Sequence, residues 1–257
     1  MSEVLVGIGG GIATVTLSHP GKLNAIDSAM WRRLSAVFED LTRDQSLRCV
    51  IVRGAEGNFA AGADIEEFPT VRATSEQGIA YHEDLIAPAL QAIGHCLHPT
   101  VAAIEGVCVG GGLEIACACD IRLAQHGSRF GIPANRLGFP LAPRELQGLL
   151  QLVGKARTLE ILLEGRIFDA EEALAKGLLH RIAADVHSAA AECAGRIAQG
   201  APLAARANKA MARRFAPQIE PLGTQELQAA YAFLDSSDYR EGVQSFLAKR
   251  APDFQGG

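Results

Sequence analysis

Apolar and polar residues alternate along the first part of the chain in the pattern of β-strands. IATVTLS at residues 12–18 alternates strictly, and the glycine-rich GIGGG before it predicts a hairpin turn to VLVGI at residues 4–8. The apolar run CVIV at residues 49–52 predicts a buried strand. Between these strands, Asp27 or Ser28 is placed to cap a helix with one apolar face. That face consists of Met30, Leu34, Val37, Phe38 and Leu41.

The same order of elements recurs further along the chain. VAAI at residues 101–104, a helix from about Gly111, DIRLA at residues 120–124 and RFGIP at residues 129–133 continue the alternation. This recurrence predicts an α/β fold, in which strands and helices pack around a shared core.

Capping signals indicate helices in the remainder of the chain. Asp169 with Glu172, and Asp238 with Glu241, have the spacing of a capping box. Gly177 is placed to end the helix that lies between these two pairs.

Alanine-rich segments at residues 189–214 and 225–234 predict further helices, and no strand pattern follows residue 200. We therefore expect two regions, an α/β core over residues 1–199 and a helical region over residues 200–257.

Composition and charge narrow the classes of function. The chain of 257 residues is 48% hydrophobic with a formal net charge of -5, and no basic run with interleaved aromatic residues occurs. A nucleic-acid partner is therefore not expected. The N-terminus MSEVLVGIGGG lacks the pattern of a signal peptide, and no apolar stretch is long enough to cross a bilayer. We expect a cytosolic protein without a membrane partner.

Six cysteines lie mostly in apolar stretches, which is typical of buried thiols in a reducing compartment. Cys117 and Cys119 have no second Cys or His pair at a metal-binding spacing, so no metal site is expected.

Two glycine-containing turns follow predicted strands. GNFAAGADIEEF at residues 57–68 follows CVIV, and VGGGLE at residues 109–114 follows VAAI. Small residues let a ligand approach the main chain, and the second turn also opens a helix, whose dipole favours negative charge. The two turns therefore predict backbone N–H groups that converge on one oxygen, as in an oxyanion hole.

Glu114 is a carboxylate in the first turn of an apolar helix. The helix dipole favours a carboxylate there, which is one sufficient explanation of the residue. Its neighbours Leu113, Ile115 and Ala116 are apolar, however, and this favours a buried group. A buried carboxyl beside an anion-stabilising turn is a candidate general base with a raised pKa.

The ordered motifs resemble the enoyl-CoA hydratase/isomerase, or crotonase, superfamily. They are HPGKLNAID (19–27), GNFAAGADIEEF (57–68), PTVAAIEGVCVGGGLEIACACDIRLA (99–124), FGIP (130–133) and REGVQSFLAKRAPDF (240–254). The resemblance implies a spiral of ββα units with a helical C-terminal region that mediates assembly into trimers or hexamers. It also implies a coenzyme A thioester as substrate, no separate cofactor, and a place in fatty acid metabolism.

The resemblance also implies roles for individual residues. The N–H groups of Ala63 and Gly111 would hold the thioester oxygen, and Glu114 matches the first of two catalytic glutamates. Other residues match the coenzyme A site: Lys22, Leu23, Ala25, Ala61, Asp64, Ile65 and Gly110, with Phe246 and Lys249 matching a segment that often completes the site of a neighbouring subunit.

The chain departs from the hydratase pattern at the second catalytic glutamate, where Ala134 stands. A methyl group transfers no proton, so several reactions stay open: hydration by Glu114 with a bound water, isomerisation of an enoyl-CoA by Glu114 alone, or decarboxylation of a CoA ester. A protein that binds CoA esters without rapid chemistry is the alternative outside enzymes. Glu145 follows Pro143 and is either a replacement acid or a first-turn carboxylate favoured by the helix dipole.

Overall fold

The fold contains two β-sheets, and successive parts of the chain contribute strands to both of them. The computed structural model describes residues 1–217 and 221–257. The strands of this described part are β1 (Glu3–Gly9), β2 (Ile12–Ser18), β3 (Cys49–Gly54), β4 (Thr100–Ile104), β5 (Val107–Val109), β6 (Ile121–Gln125), β7 (Arg129–Gly131), β8 (Phe168–Asp169) and β9 (Arg181–Ala183). The α-helices of the same residues are α1 (Ser28–Arg43), α2 (Phe68–Val71), α3 (Ser75–Ala80), α4 (Ala87–Gly94), α5 (Gly111–Ala118), α6 (Pro143–Glu164), α7 (Ala170–Lys176), α8 (Val186–Gln199), α9 (Pro202–Phe215), α10 (Thr224–Tyr231) and α11 (Ser237–Leu247).

The larger sheet has the strand order β1-β2-β3-β4-β6-β9. β1 pairs antiparallel with β2, and the following pairs are parallel. All five residues of β4 are buried, as expected for a central strand covered on both faces. The strands predicted at residues 12–18, 49–52, 101–104 and 120–124 are thereby confirmed.

The chain steps repeatedly from the larger sheet to the smaller sheet, which has the order β5-β7-β8. β4 is followed by β5, and β6 by β7, before a helix begins. After β3 the chain makes the same step, because Ala60 forms a parallel bridge to Cys108 in β5. These repeated strand-strand-helix units confirm the predicted α/β architecture.

Capping explains where α1 and α7 begin and where α7 ends. The Asp27 carboxylate accepts a hydrogen bond from the Met30 N–H at 2.8 Å, which confirms the predicted cap of α1. Asp169 accepts from the Glu172 N–H at 2.8 Å and begins α7. Gly177 ends that helix with a φ of 86°, a conformation that favours glycine.

The cap predicted at Asp238 is wrong. The hydroxyl of Ser236 accepts from the Tyr239 N–H at 3.0 Å, so α11 begins two residues before the predicted position. The Asp238 carboxylate instead accepts from the N–H groups of Gln255 and Gly256, at 2.8 and 3.0 Å. The C-terminal tail engages this carboxylate, a long-range contact that the spacing of polar residues does not reveal.

The helices after residue 200 carry no strand among them in the part of the chain that the structure describes. α9 is joined to the core by Lys209, whose ammonium group lies 2.7 Å from the Asp120 carboxylate and 2.9 Å from the His98 carbonyl. Of the described helices, none is both long and apolar enough to cross a membrane.

The N-terminus of α5 lies directly against the loop that follows β3. The Val109 N–H donates to the Ala60 carbonyl at 3.0 Å, and the Ala60 N–H donates to the Val107 carbonyl at 2.9 Å. A Cβ built at Gly112 would lie 2.3 Å from the Ala60 carbonyl oxygen, closer than any side chain permits. Glycine at this position therefore sets the separation of the loop and the helix.

Gly112→Ala is expected to destabilise the protein by about 1–3 kcal/mol, because the added methyl group forces the backbone of the loop and the helix apart. The melting temperature in thermal unfolding measures the loss. Gly195→Ala is the matched control: Gly195 lies within α8, and a Cβ there meets no atom within 4 Å. The control is expected to keep or raise the melting temperature, since Ala is the better helix former. Equal melting temperatures for the two variants would contradict the argument.

Candidate active site

A cavity of about 570 Å³ opens between the loop after β3 and the N-terminus of α5. Most of the residues implied by the resemblance line it: Lys22, Ala25, Ala61, Ala63, Asp64, Ile65, Gly110, Gly111, Glu114 and Phe246. The structure therefore brings together residues from the beginning, the middle and the end of the chain.

Leu23 and Lys249 do not line this cavity. The Leu23 side chain is half exposed, and its main-chain carbonyl accepts from the Ala61 N–H at 3.0 Å, so its backbone helps to hold the loop. Lys249 lies past the end of α11 on the surface, with a φ of 53° that turns the chain. Contact of either residue with coenzyme A, in this subunit or a neighbouring one, stays a prediction.

The N–H group of Ala63 is left free of main-chain partners by its position in a parallel bridge. Ile26 pairs with the residues on either side of Ala63: its N–H donates to the Gly62 carbonyl at 2.7 Å, and its carbonyl accepts from the Asp64 N–H at 2.9 Å. The N–H of the bridged residue points the other way. Among the described residues, no main-chain carbonyl accepts from it.

The N–H group of Gly111 lies beside that of Ala63. It belongs to the first turn of α5, where a helix has no internal acceptor, and no carbonyl of the described residues accepts from it. A Cβ built on Gly111 would lie 3.6 Å from the Ala63 nitrogen. Gly110, with a φ of 52° and a ψ of -124°, makes the sharp turn into the helix. The two predicted donors thus sit together at a helix N-terminus, where the dipole favours an anion.

Glu114 lies in the first turn of α5, with 8% of its surface exposed. Burial raises the pKa of its carboxyl well above the usual range, and the nearby Glu145 carboxylate raises it further. The predicted burial of this carboxyl is confirmed, and the direction of the pKa shift agrees with that burial.

Glu145 also lines the cavity, where its side chain contacts His82. The two residues are 63 positions apart in the chain. The Glu145 carboxylate lies 2.6 Å from the His82 Nδ1, and both side chains are only 4% exposed. Glu145 is in the first turn of α6, as predicted, but its side chain points to the cavity and not to solvent. His82 Nε2 is buried and has no hydrogen-bond partner among the described residues.

Ala134 lines the cavity too, so the departure from the hydratase pattern occurs in the site itself. Two further carboxylates of the lining, Asp64 and Glu66, are held by the Lys22 ammonium at 2.6 and 2.8 Å. Glu114 and Glu145 are therefore the carboxyl groups of this lining that no lysine or arginine neutralises by direct contact in the described structure. No local pattern pairs Glu145 with His82, because the contact depends on how α6 packs.

The Glu114→Gln variant is expected to gain stability over the wild type as pH rises from acid to neutral. Below the ordinary glutamate pKa both the folded and the unfolded chain hold the proton. As pH rises, the unfolded chain releases the proton first, and a folded-state pKa that is one pH unit higher costs the wild type about 1.4 kcal/mol of stability. Glutamine has no proton to lose.

The measurement is the difference in melting temperature between variant and wild type from about pH 4 to about pH 8. The difference should grow in favour of the variant as pH rises. The control is Glu192→Gln, an exposed carboxylate on α8 near Arg196, which should show no such trend. A difference for Glu114→Gln that does not depend on pH would contradict the burial argument.

Comparison with known proteins identifies the family. The model of the enoyl-CoA hydratase/isomerase family matches residues 7–257. A probable enoyl-CoA hydratase of Mycobacterium tuberculosis is 32% identical over 95% of this chain and 94% of its own length. A probable mitochondrial enoyl-CoA hydratase of Arabidopsis thaliana is 34% identical over 98% of this chain and 84% of its own length.

Solved structures show the same fold. An enoyl-CoA hydratase/carnithine racemase from Magnetospirillum magneticum has a TM-score of 0.82 and 46% identity, covering 100% of this chain and 97% of that one. A methylmalonyl-CoA decarboxylase in complex with 2-nitronate-propionyl-CoA has a TM-score of 0.88 and 27% identity. The match covers 99% of this chain and 98% of that one. The chain belongs to the enoyl-CoA hydratase/isomerase family, with the crotonase fold.

Proposed function

We propose that the protein catalyses the reversible addition of water to a 2-enoyl-CoA, with Glu114 and Glu145 as the two carboxyl groups. The observation that carries the proposal is the presence of both carboxyls in one cavity, beside the free N–H groups of Ala63 and Gly111. Glu145 thereby takes the role that the family pattern assigns to the position of Ala134.

The thioester oxygen binds to the N–H groups of Ala63 and Gly111, which stabilise the enolate as it forms. Removal of one such donor typically costs about 3–4 kcal/mol of transition-state stabilisation. Glu114, as the carboxylate, takes a proton from water while the water oxygen bonds to C3 of the acyl group. Its raised pKa suits this role, because a general base is most effective with a pKa near the working pH.

The electron pair of the C2–C3 double bond moves toward the thioester, and C2 takes a proton from the Glu145 and His82 pair. The 2.6 Å contact between these side chains allows one proton to be held between them. The proton gained by Glu114 returns to the pair through solvent, so water is added without net change in the enzyme. Coenzyme A thioesters are the substrates, and no separate cofactor supplies electrons.

Ala134 favours two further candidates, and the first is isomerisation of an enoyl-CoA by Glu114 alone. In that reaction a single carboxyl removes a proton from C2 and returns it to C4, and no second acid is required. A decarboxylation of the kind named for the methylmalonyl-CoA decarboxylase would use the same oxyanion site. The two candidates differ from hydration in having no net gain of water.

Glu145→Gln and Glu114→Gln are each expected to lower kcat for hydration of crotonyl-CoA by about 10²–10⁴-fold, because each removes one proton transfer. Purified protein is incubated in D₂O with crotonyl-CoA or a 3-enoyl-CoA, and mass spectrometry of the products follows water gain and deuterium at C2. The surface variant Glu192→Gln serves as the control and should keep the wild-type rate.

The two substrates and the two variants together separate hydration from isomerisation. Full hydration by Glu145→Gln would show that Glu114 works with water alone. Double-bond migration without gain of water would show that the reaction is isomerisation and not hydration. Inactivity of the wild type on both substrates would overturn the proposed reaction.

A homotrimer or homohexamer is the assembly we propose, on the evidence of the helical region after residue 200. None of the residues of α9 is buried within the chain, and several of its apolar side chains are exposed to solvent. The most exposed of them are Leu203, Met211 and Phe215. A second subunit would cover this surface, which fits the role of the C-terminal region in the family. The buried free cysteines suit the cytosol, and fatty acid metabolism is the proposed setting.

Light scattering on a sizing column tests the assembly, with a trimer or hexamer of the 27.1 kDa chain expected. Leu203→Glu is expected to shift the protein toward smaller species, because the new carboxylate would be buried in the contact. A wild-type protein that elutes as a monomer would contradict the proposal.

A further inference from the structure

A buried arginine lines the same cavity, at a place that the proposed chemistry does not use. Arg72 follows α2 and has 4% of its surface exposed. Five aromatic rings surround its guanidinium carbon within 6 Å. Their centroids lie at 4.3 Å (Phe68), 4.7 Å (Phe139), 4.9 Å (Tyr239), 5.7 Å (Tyr81) and 5.8 Å (Phe233).

This guanidinium has an unfilled hydrogen-bonding edge. Its Nε and Nη2 are buried, and neither has a hydrogen-bond partner among the described residues. No carboxylate of the described residues forms an ion pair with Arg72. Burial lowers the pKa of the guanidinium, while Tyr239, Tyr81 and Glu145 act in the opposite direction, and the Tyr239 side chain also forms a hydrogen bond with Arg72.

The aromatic rings do not supply hydrogen-bond acceptors for Nε and Nη2. Aromatic faces attract the cation, but the N–H groups at the edge of the guanidinium still require an acceptor. A buried charge with unpaired N–H groups is costly, and a buried group with a shifted pKa that lines a cavity is a candidate for ligand binding. Nε and Nη2 form one side of the planar fork, and their two N–H groups match the two oxygens of a carboxylate.

Arg72 is also close to the reacting groups. The Tyr81 ring stands 5.7 Å from the guanidinium carbon and 5.5 Å from the His82 ring, and His82 in turn contacts Glu145. All four residues line the one cavity. An acyl chain that fills this cavity would therefore contact a lining that contains both the carboxyls and the arginine.

We propose that Arg72 binds a carboxylate on the acyl group, so that the substrates are CoA thioesters of dicarboxylic acids. This inference rests on the proposed function, because it assumes that an acyl-CoA occupies the cavity. The aromatic residues around Arg72 hold the guanidinium in place and exclude water, which strengthens the ion pair with the acyl carboxylate.

Binding of saturated thioesters tests the inference without any turnover. Isothermal titration compares glutaryl-, adipyl- and pimeloyl-CoA with pentanoyl-, hexanoyl- and heptanoyl-CoA, which have matching chain lengths and no terminal carboxylate. At one length or more, the dicarboxylic thioester should bind about 10- to 100-fold more tightly, as expected for a bidentate charged hydrogen bond. Equal affinity at every length would overturn the inference.

Arg72→Met removes the charge but keeps an unbranched side chain among the rings, and should abolish the preference while leaving the affinity for pentanoyl-CoA unchanged. Arg72→Lys keeps the charge without the planar fork and should restore part of the preference. Arg33→Met, on the exposed face of α1, controls for the loss of one positive charge and should preserve the preference. Loss of affinity for both thioester classes in both Arg72 variants would show a structural cation and overturn the inference.

The Glu114→Gln variant separates this inference from the proposed reaction. Glutaconyl-CoA and crotonyl-CoA are offered to the wild type, and the saturated thioesters to Glu114→Gln. A lasting preference for dicarboxylic thioesters in Glu114→Gln, together with a wild type that hydrates neither enoyl-CoA, would support the subsite and refute hydration. Hydration of crotonyl-CoA at least as efficiently as glutaconyl-CoA, without any binding preference, would support hydration and refute the subsite.

Discussion

The close approach of the loop after β3 to the N-terminus of α5 is the constraint on which the site depends. The Ala60 carbonyl accepts from the Val109 N–H, and its oxygen would lie only 2.3 Å from a Cβ at position 112. This contact places the Ala63 and Gly111 nitrogens side by side at the positive end of a helix. The carboxyl of Glu114, one turn further along the same helix, is fixed relative to them. A rigid scaffold of parallel strands thus delivers the geometry that oxyanion stabilisation requires.

The cavity concentrates polar groups that a stable core would exclude. Glu114 is buried with a raised pKa, Glu145 and His82 are buried as a pair, and the Arg72 guanidinium lies among aromatic rings. Each of these groups costs stability through desolvation, and each becomes useful only with a ligand in the cavity. The surrounding Val, Ile and Ala residues of the two sheets supply the burial that tolerates this cost.

The position of Ala134 illustrates how a family pattern and a structure answer different questions. The pattern shows that one carboxyl is absent, but it does not show what stands nearby. In the structure, α6 supplies a carboxyl group to the same cavity. Its first turn contains Glu145, which contacts His82. Proline at the start of α6 and the helix dipole explain why a carboxylate is favoured there. Only the direction in which α6 packs turns that carboxylate toward Glu114 and not toward solvent.

Local patterns by themselves determined the strands β2, β3 and β4, the cap at Asp27, the glycine turns and the burial of Glu114, because each depends on neighbours in the sequence. The cap at Asp238 failed because the distant C-terminal tail binds its carboxylate. The Glu145 and His82 pair and the cage around Arg72 were decided by the tertiary structure alone. Phe139, Phe233 and Tyr239 are far from Arg72 in the chain, and Glu145 is far from His82. No spacing rule records that these side chains meet after their elements pack.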